Sequence, residues 1–145
     1  MTTLAQADAV EVASNLRPVL LRLSRELRKE AQQFGITGGQ ATLLAQIERH
    51  DRVGLGELAA GEGVSPAAMS KHVDRLQAAG LVSRATGDDR RRVEIELTAT
   101  GKRTLKRVRS HRTAWLAERL GQLDETDLAA VERAIAPLAT MLDAS

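Results

Sequence analysis

The sequence predicts a mainly helical chain with one small antiparallel β-hairpin, an α+β fold class. Two observations lead to this prediction. Most of the 145 residues repeat apolar side chains every three or four positions, which is the period of an amphipathic helix. Residues 93–97 alternate instead, with Val93, Ile95 and Leu97 apolar and glutamates between them, which is typical of a half-buried strand.

Upstream of the hairpin, residues 55–80 contain two short helical patterns that are separated by Gly63. A sharp turn there requires a residue that adopts positive φ without strain. Ser65 can cap the second helix, and Pro66 suits its first turn because that position needs no N–H donor. Helix, tight turn, helix and hairpin in this order predict a winged helix-turn-helix.

The second helix of this motif has two contrasting faces. Apolar or small residues fall on one side at helical spacing: Met69, Val73, Leu76 and Gly80. Small or long polar side chains fall on the other side: Pro66, Ala67, Ser70, Lys71, Asp74 and Arg75. A slim, polar-faced helix of about three turns fits the major groove of duplex DNA. The predicted reading residues are Ser65, Pro66, Ala67, Ser70, Lys71 and Arg75.

The tip of the hairpin, residues 87–92, reads Gly-Asp-Asp-Arg-Arg-Arg. Consecutive arginines on a strand cannot all point the same way, so Arg90 and Arg92 share one direction and Arg91 takes the other. Basic side chains on an exposed wing favour contact with the negatively charged DNA backbone. We therefore predict that Asp89, Arg90, Arg91 and Arg92 form a DNA-binding wing.

These stretches resemble the MarR family of bacterial and archaeal transcription regulators. Residues 63–82, GVSPAAMSKHVDRLQAAGLV, and residues 89–101, DRRRVEIELTATG, carry the resemblance, and the length and flanking helices extend it to nearly the whole chain. The resemblance implies that Arg91 enters the minor groove and that Asp89 braces it. It also implies a homodimer, whose two reading helices lie about one helical turn of DNA apart.

The chain departs from the family pattern at Gly56 and Gly61, in the first helix of the motif over residues 55–61. The family usually has a better capping residue and a better helix former at these positions. Each glycine can cost up to about 1 kcal/mol, which concerns stability and not the assignment. Leu58 and Ala59 of the same helix are predicted to point inward.

Two helices are predicted before the motif. In residues 9–33, apolar side chains recur at spacings of four, four, three and four, at Val12, Leu16, Leu20, Leu23 and Leu27. The opposite, cationic face is either solvated or lines a pocket for an anionic effector. The next helix begins at Thr37 or Gly39 and ends near His50, and Val53–Gly54 can add a minimal third strand to the hairpin.

Two more helices are predicted after the wing. Thr98 can cap a long helix over residues 99–120, and Asp124 can cap a final one. The long helix begins with a run of cations, which form a solvated face, contact phosphates or pair with acids of a partner: Lys102, Arg103, Lys106, Arg107, Arg109 and Arg112. The final helix has a coiled-coil-like seam, Leu128, Val131, Ile135, Leu138 and Leu142.

The apolar stripes of the terminal helices are too long for the compact central motif to cover. The simplest solution is a two-fold homodimer in which the N- and C-terminal helices interlock. We assign residues 1–36 and 99–145 to a helical dimerisation region and residues 37–98 to a winged helix-turn-helix DNA-binding domain. The predicted interface residues are Leu16, Leu20, Leu128, Val131, Ile135, Leu138 and Leu142.

Composition argues against several other classes of function. The chain has no cysteine, and its three histidines form no HxxxH or HxxE pair, so no metal site is predicted. Neither a phosphate-binding loop nor a nucleophile elbow is present, so we predict neither an enzyme nor a cofactor. Phe34 and Trp115 are the only aromatic residues, which favours duplex DNA over single-stranded nucleic acid. The absence of a signal-peptide pattern and of a long apolar run predicts a cytoplasmic protein that does not enter membranes.

The predicted function is a transcriptional repressor that binds a pseudo-palindromic operator as a homodimer and is released by a ligand. The alternatives are a non-specific architectural DNA-binding protein and a protein-interaction module. The wing arginines favour DNA over a protein partner, and the net charge of only +2 favours specific over purely electrostatic binding. Members of the resembled family often bind small aromatic acids, which makes a small anionic aromatic effector a candidate partner without assigning pocket residues.

Overall fold

The computed structural model describes residues 2–87 and 92–143. Its α-helices are α1 (Thr2–Glu30), α2 (Gly38–His50), α3 (Leu55–Glu62), α4 (Pro66–Ala78), α5 (Ala99–Leu120) and α6 (Glu125–Asp143), with a 3₁₀ turn at Ala31–Phe34. Its strands are β1 (Val53–Gly54), β2 (Val82–Thr86) and β3 (Val93–Leu97). The predicted α+β class is confirmed, although the first helix begins seven residues before the predicted start at Ala9.

The strands form one small antiparallel sheet in the order β1-β3-β2. Val53 pairs with Ile95, so the minimal third strand predicted from the sequence is present. On the other side of β3, Val82 pairs with Leu97 and Thr86 pairs with Val93. This register places the start of β2 and the end of β3 next to each other, at the root of the hairpin.

Local capping residues set the ends of the motif's helices. The Thr37 side chain accepts a hydrogen bond from the Gln40 N–H, while the Gln40 side chain accepts one from the Thr37 N–H, which is a complete capping box. Gly63 ends α3 with φ 66°, in the left-handed region that glycine adopts at little cost. Ser65 Oγ accepts the Ala68 N–H at 3.1 Å, so the predicted cap of the reading helix is confirmed.

The hydrophobic core lies beneath α4 and joins it to α2, the sheet and the first half of α5. Its most fully buried large side chains are Leu44, Ile47, Val53, Met69, Val73, Leu76, Val82, Ile95, Leu105 and Val108. The predicted inward positions Leu58 and Ala59 are also buried. Among the described side chains, no buried nitrogen or oxygen lacks a hydrogen-bond partner. The core therefore holds the face of α4 that carries Met69, Val73 and Leu76.

Two residues that the sequence patterns grouped with apolar faces are exposed, Gly80 and Val93. Gly80 lies beyond the end of α4, in a turn with φ 76°, because the helix stops at Ala78 before the apolar period would reach it. Val93 is 48% exposed, whereas Ile95 and Leu97 are buried. Val93 pairs with Thr86 at the outer end of the hairpin, away from the helices that cover the inner end.

The root of the hairpin is joined to the start of α5 by a compact set of backbone contacts. The Leu81 carbonyl accepts the Thr98 N–H at 3.1 Å, and the Thr98 hydroxyl donates to the Gly80 carbonyl at 2.6 Å. The same hydroxyl oxygen accepts the Gly101 N–H at 3.0 Å, which confirms Thr98 as the cap of α5. A Cβ atom on Gly101 would lie 2.0 Å from the Leu81 carbonyl oxygen, so this position requires glycine.

The chain divides into two compact units, Met1–Arg109 and Ser110–Ser145. In the first, α1 leaves apolar side chains of its stripe exposed, including Val12, Leu20 and Leu23. In the second, none of the described residues of α6 is buried. Asp124 Oδ1 accepts the Asp127 N–H at 2.7 Å, so the predicted cap of the final helix is confirmed. None of the helices in the described ranges combines the length and apolarity that crossing a membrane requires.

Candidate nucleic-acid interface

The outward face of α4 is the side opposite to Met69, Val73 and Leu76. At about 100° per residue, Ala67 and Lys71 lie nearly opposite these core residues, and both are exposed. Ser65 and Pro66 are exposed at the N-terminal end of the helix. The first two turns of α4 thus expose small or polar side chains, while the opposite face is buried in the core. Such a helix can enter a DNA groove without disturbing the core.

Ser70, Asp74 and Gln77 form one flank of α4, which faces β2. These residues are spaced at i, i+4 and i+7, and all three contact the guanidinium of Arg84 on β2. Arg84 Nη2 lies 2.8 Å from Asp74 Oδ1, and Nη1 donates to Gln77 Oε1. Ser70 is half-buried on this flank, unlike Lys71 on the outward face. The predicted reading residues are therefore not equivalent in the folded chain.

The other flank of α4 lines a cavity of about 310 Å³. His72 and Arg75 of α4 face this cavity, together with Glu62 near the end of α3. The remaining wall comes from the start of α2, the turn before α4 and the core: Thr37, Gly39, Gln40, Leu43, Val64 and Met69. Because Arg75 lines the cavity and is also exposed, it lies at the border between the cavity and the outward face of α4.

The base of the wing is attached to the rest of the motif by ion pairs. Arg92 Nη2 lies 3.1 Å from Glu57 Oε1 on α3, with both side chains more than half exposed. Arg52 donates from Nε to Glu96 at 3.0 Å, and its Nη1 lies 4.0 Å from Glu94. Arg92 is thus directed toward α3 in the free chain. The predicted wing residues Asp89, Arg90 and Arg91 lie outside the described residues.

The cations at the start of α5 are partly engaged within the chain. Arg109 pairs with Glu48 of α2, and Arg103 donates to the Thr100 hydroxyl at 3.2 Å. Lys102 lines a small cavity of about 50 Å³ together with Glu48. Intramolecular contacts therefore account for at least Arg103 and Arg109 of this run.

Two features of this interface were missed by sequence reasoning. The first is Arg84, whose three partners on α4 become neighbours only when the strand is placed beside the helix. The spacing of Ser70, Asp74 and Gln77 was a signal for a polar flank, but it did not identify the partner. The second is the cavity on the opposite flank. In the described part of the chain, no group of three or more histidine, aspartate or glutamate side chains could hold a metal ion.

Comparison with known proteins gives a consistent result. The sequence profile of the MarR family matches residues 34–92. An uncharacterised HTH-type transcriptional regulator of Mycobacterium bovis is 32% identical over 117 residues, covering 80% of this chain and 82% of the relative. The HTH-type transcriptional repressor MdtR of Bacillus subtilis is 26% identical over 130 residues, covering 89% of this chain and 84% of MdtR.

A solved structure of a MarR mutant from E. coli in complex with operator DNA has the same fold. It superposes with a TM-score of 0.65 at 21% identity and covers 90% of this chain and 95% of the matched chain. At this identity, the likeness concerns the arrangement of helices and strands and not the identity of the contacting side chains. The winged helix-turn-helix predicted from the sequence is thus the observed architecture.

Proposed function

The chain belongs to the MarR family of transcriptional regulators, and from this membership we propose that it represses transcription by binding a specific operator as a homodimer. One observation carries the proposal: the back of α4 is buried and one flank contacts β2, so that its outward face, with Ala67 and Lys71, is exposed. The repressor MdtR and the MarR–operator complex support the same function by analogy. The reading residues are Ser65, Pro66, Ala67, Ser70, Lys71 and Arg75, with Asp89, Arg90, Arg91 and Arg92 in the wing.

The homodimer is the second part of the proposal. The exposed apolar stripe of α1 and that of α6 each need a surface to cover them, and a second copy offers both. In this arrangement, residues 1–36 and 99–145 form the dimerisation region and residues 37–98 the DNA-binding domain. Two reading helices then contact two half-sites, which predicts an inverted repeat in the operator.

The third part is release from DNA by a small anionic aromatic effector. The cationic face of α1 supports it, because arginines can pair with a carboxylate through two hydrogen bonds. Titration of the protein–operator complex with benzoate and with uncharged benzamide tests this part. Release by benzoate alone is expected. Equal effects of the two compounds, or no effect up to millimolar concentration, would contradict an anionic aromatic effector.

The DNA-binding proposal is tested by fluorescence anisotropy with two labelled duplexes, the intergenic DNA upstream of the protein's own gene and a shuffled duplex of the same composition. Tight binding to the first duplex alone is expected. Equal binding to both would indicate an architectural protein, and binding to neither would indicate a protein-interaction module.

Two variants of α4, one on its outward face and one on the flank that faces β2, locate the binding surface. Lys71→Ala and Ser70→Ala should each weaken operator binding by about 1–3 kcal/mol, since each removes a base or phosphate contact. Lys29→Ala is the matched control, because Lys29 is an exposed lysine of α1 that pairs with Glu26 at 3.2 Å. Unchanged affinity of both α4 variants would show that another surface reads the DNA.

A further inference from the structure

Arg84 is the side chain that connects the sheet to the flank of the reading helix. Its guanidinium lies 2.8 Å from the Asp74 carboxylate and 3.4 Å from both the carbonyl oxygen and the hydroxyl of Ser70. It also donates to the amide oxygen of Gln77. One planar group therefore contacts two successive turns of α4, with several donors in a fixed geometry.

The backbone of Arg84 is itself held in place. Arg84 is the central residue of β2 and pairs with Ile95, which is fully buried. The Arg84 side chain is only 27% exposed, whereas that of Asp74 is 60% exposed. The arginine is therefore the anchored member of the pair, and Asp74 is the point at which α4 is attached to it.

This contact has two consequences for the outward face. First, it fixes the rotation of α4 about its own axis. The tips of the outward side chains lie about 5 Å from this axis, so a rotation of about 20° would move them by about 2 Å. Such a displacement is enough to break a hydrogen bond to a base. Second, the contact neutralises Asp74, the one carboxylate on the described residues of α4, which would otherwise repel DNA phosphates.

We propose that Arg84 is a positioning residue for sequence recognition, acting through Asp74 and Gln77 on the orientation of α4 and not through a phosphate contact of its own. This inference rests on the proposed DNA-binding function and extends it. A positioning residue affects discrimination between sequences. A phosphate contact affects all sequences alike and raises the salt dependence of binding.

The test uses a double variant that removes the pair without changing the net charge, Asp74→Asn with Arg84→Gln. Binding is measured to the operator and to shuffled DNA at three salt concentrations. We expect operator affinity to fall about tenfold, affinity for shuffled DNA to change less than twofold, and the salt slope to stay the same. Arg84→Lys, which keeps the charge but loses the planar fork, should show the same loss of discrimination.

The matched control is the double variant Glu26→Gln with Lys29→Gln, which removes an ion pair of 3.2 Å on α1, outside the DNA-binding motif. It should leave the ratio of operator to shuffled affinity unchanged. Equal losses on both DNAs with a salt slope lower by about 1 in Arg84→Gln, restored by Arg84→Lys, would identify a phosphate contact and overturn the inference. An unchanged ratio in the Asp74/Arg84 variant would overturn it as well.

A measurement without DNA separates this inference from the proposed function. Backbone amides of α4 should exchange with solvent about fivefold faster in the Asp74/Arg84 variant than in the wild type, and at wild-type rates in the Glu26/Lys29 variant. Unchanged exchange in both variants would overturn the inference whatever the DNA result. If the wild type itself does not distinguish the operator from shuffled DNA, the proposed function fails, and the exchange rates still decide whether Arg84 holds α4.

Discussion

The winged-helix region and α6 differ in where their apolar side chains are placed. Between α2 and the first half of α5, the core encloses side chains such as Leu44, Met69 and Ile95. In α6, Ile135 is 63% exposed and Leu142 is 84% exposed. Burying one such side chain is worth about 1.5–3 kcal/mol, and in proteins most of the stability of a helix comes from packing of its apolar face. The winged helix is therefore stabilised within one chain, whereas the apolar face of α6 needs a further surface.

The largest effect is expected where the winged helix is packed most closely. Gly101→Ala would place a Cβ atom 2.0 Å from the Leu81 carbonyl oxygen, which already accepts the Thr98 N–H. Since both contacts involve backbone, we expect a loss of about 3 kcal/mol or more in the free energy of unfolding. Chemical denaturation measures it.

Gly61→Ala is the matched control. Gly61 lies within α3, and nothing lies within 4 Å of the position its Cβ would take. Alanine is the better helix former, so this variant should gain about 0.5–1 kcal/mol. If both variants shift the unfolding free energy in the same direction, packing at Gly101 does not determine stability as described.

The second prediction concerns the apolar face of α6. Replacing Val131 and Ile135 together by glutamate should dissociate the dimer, because an interface that buries these positions would contain unpaired charges. We expect at least a 100-fold weaker self-association by analytical ultracentrifugation, with the unfolding transition of the winged helix retained. Ala130→Glu, on another side of α6, should remain dimeric. A dimer of unchanged affinity in the Val131/Ile135 variant would place the interface elsewhere.

The third prediction isolates DNA contact from both folding and assembly. Arg91→Ala should weaken operator binding by about 1–3 kcal/mol, most strongly on A·T-rich flanks, where a narrow minor groove attracts arginine. Neither the unfolding free energy nor the dimer should change. Asp89→Ala should also weaken binding if Asp89 braces Arg91, although it removes a negative charge near DNA. Tighter binding of Asp89→Ala at both of two salt concentrations would exclude the bracing role.

The smallest effect is expected at Asp51, the only described non-glycine residue with positive φ. Its φ of 62° and ψ of −61°, with the Arg52 N–H donating to the His50 carbonyl at 2.7 Å, form a γ-turn that is strained for a residue with a Cβ. Asp51→Gly should therefore gain about 0.5–1 kcal/mol in unfolding free energy, the relief of strain exceeding the added chain entropy. Asp51→Ala keeps the strain and should gain nothing. Equal stability of the two variants would contradict this account.

The parts of the fold that depend on neighbouring residues were predictable from the sequence. Gly63, Ser65 and Pro66 act on the adjacent turns, so the start of α4 could be placed to the residue. Its end could not, because the apolar pattern continues to Gly80 while the helix stops at Ala78. The contacts of Arg84 could not be predicted, because its partners lie 7, 10 and 14 residues away and meet it only when β2 lies beside α4. The pairing of Arg92 with Glu57 could not be predicted either, because it depends on how the hairpin packs against α3.

The root of the hairpin also determines how the wing can evolve. The chain leaves this point at Leu81 and returns to it at Thr98, whose N–H and hydroxyl are bonded to the Leu81 and Gly80 carbonyls. The outer end is closed as well, since the Gly87 N–H donates to the Arg92 carbonyl at 3.0 Å. The segment between Gly87 and Arg92 therefore has both ends fixed. Doubling the length of this segment would raise the entropic cost of closing the loop by only about 0.6 kcal/mol. Insertions between Gly87 and Arg92 can therefore change the length of the wing while the helices and strands that anchor it stay unchanged.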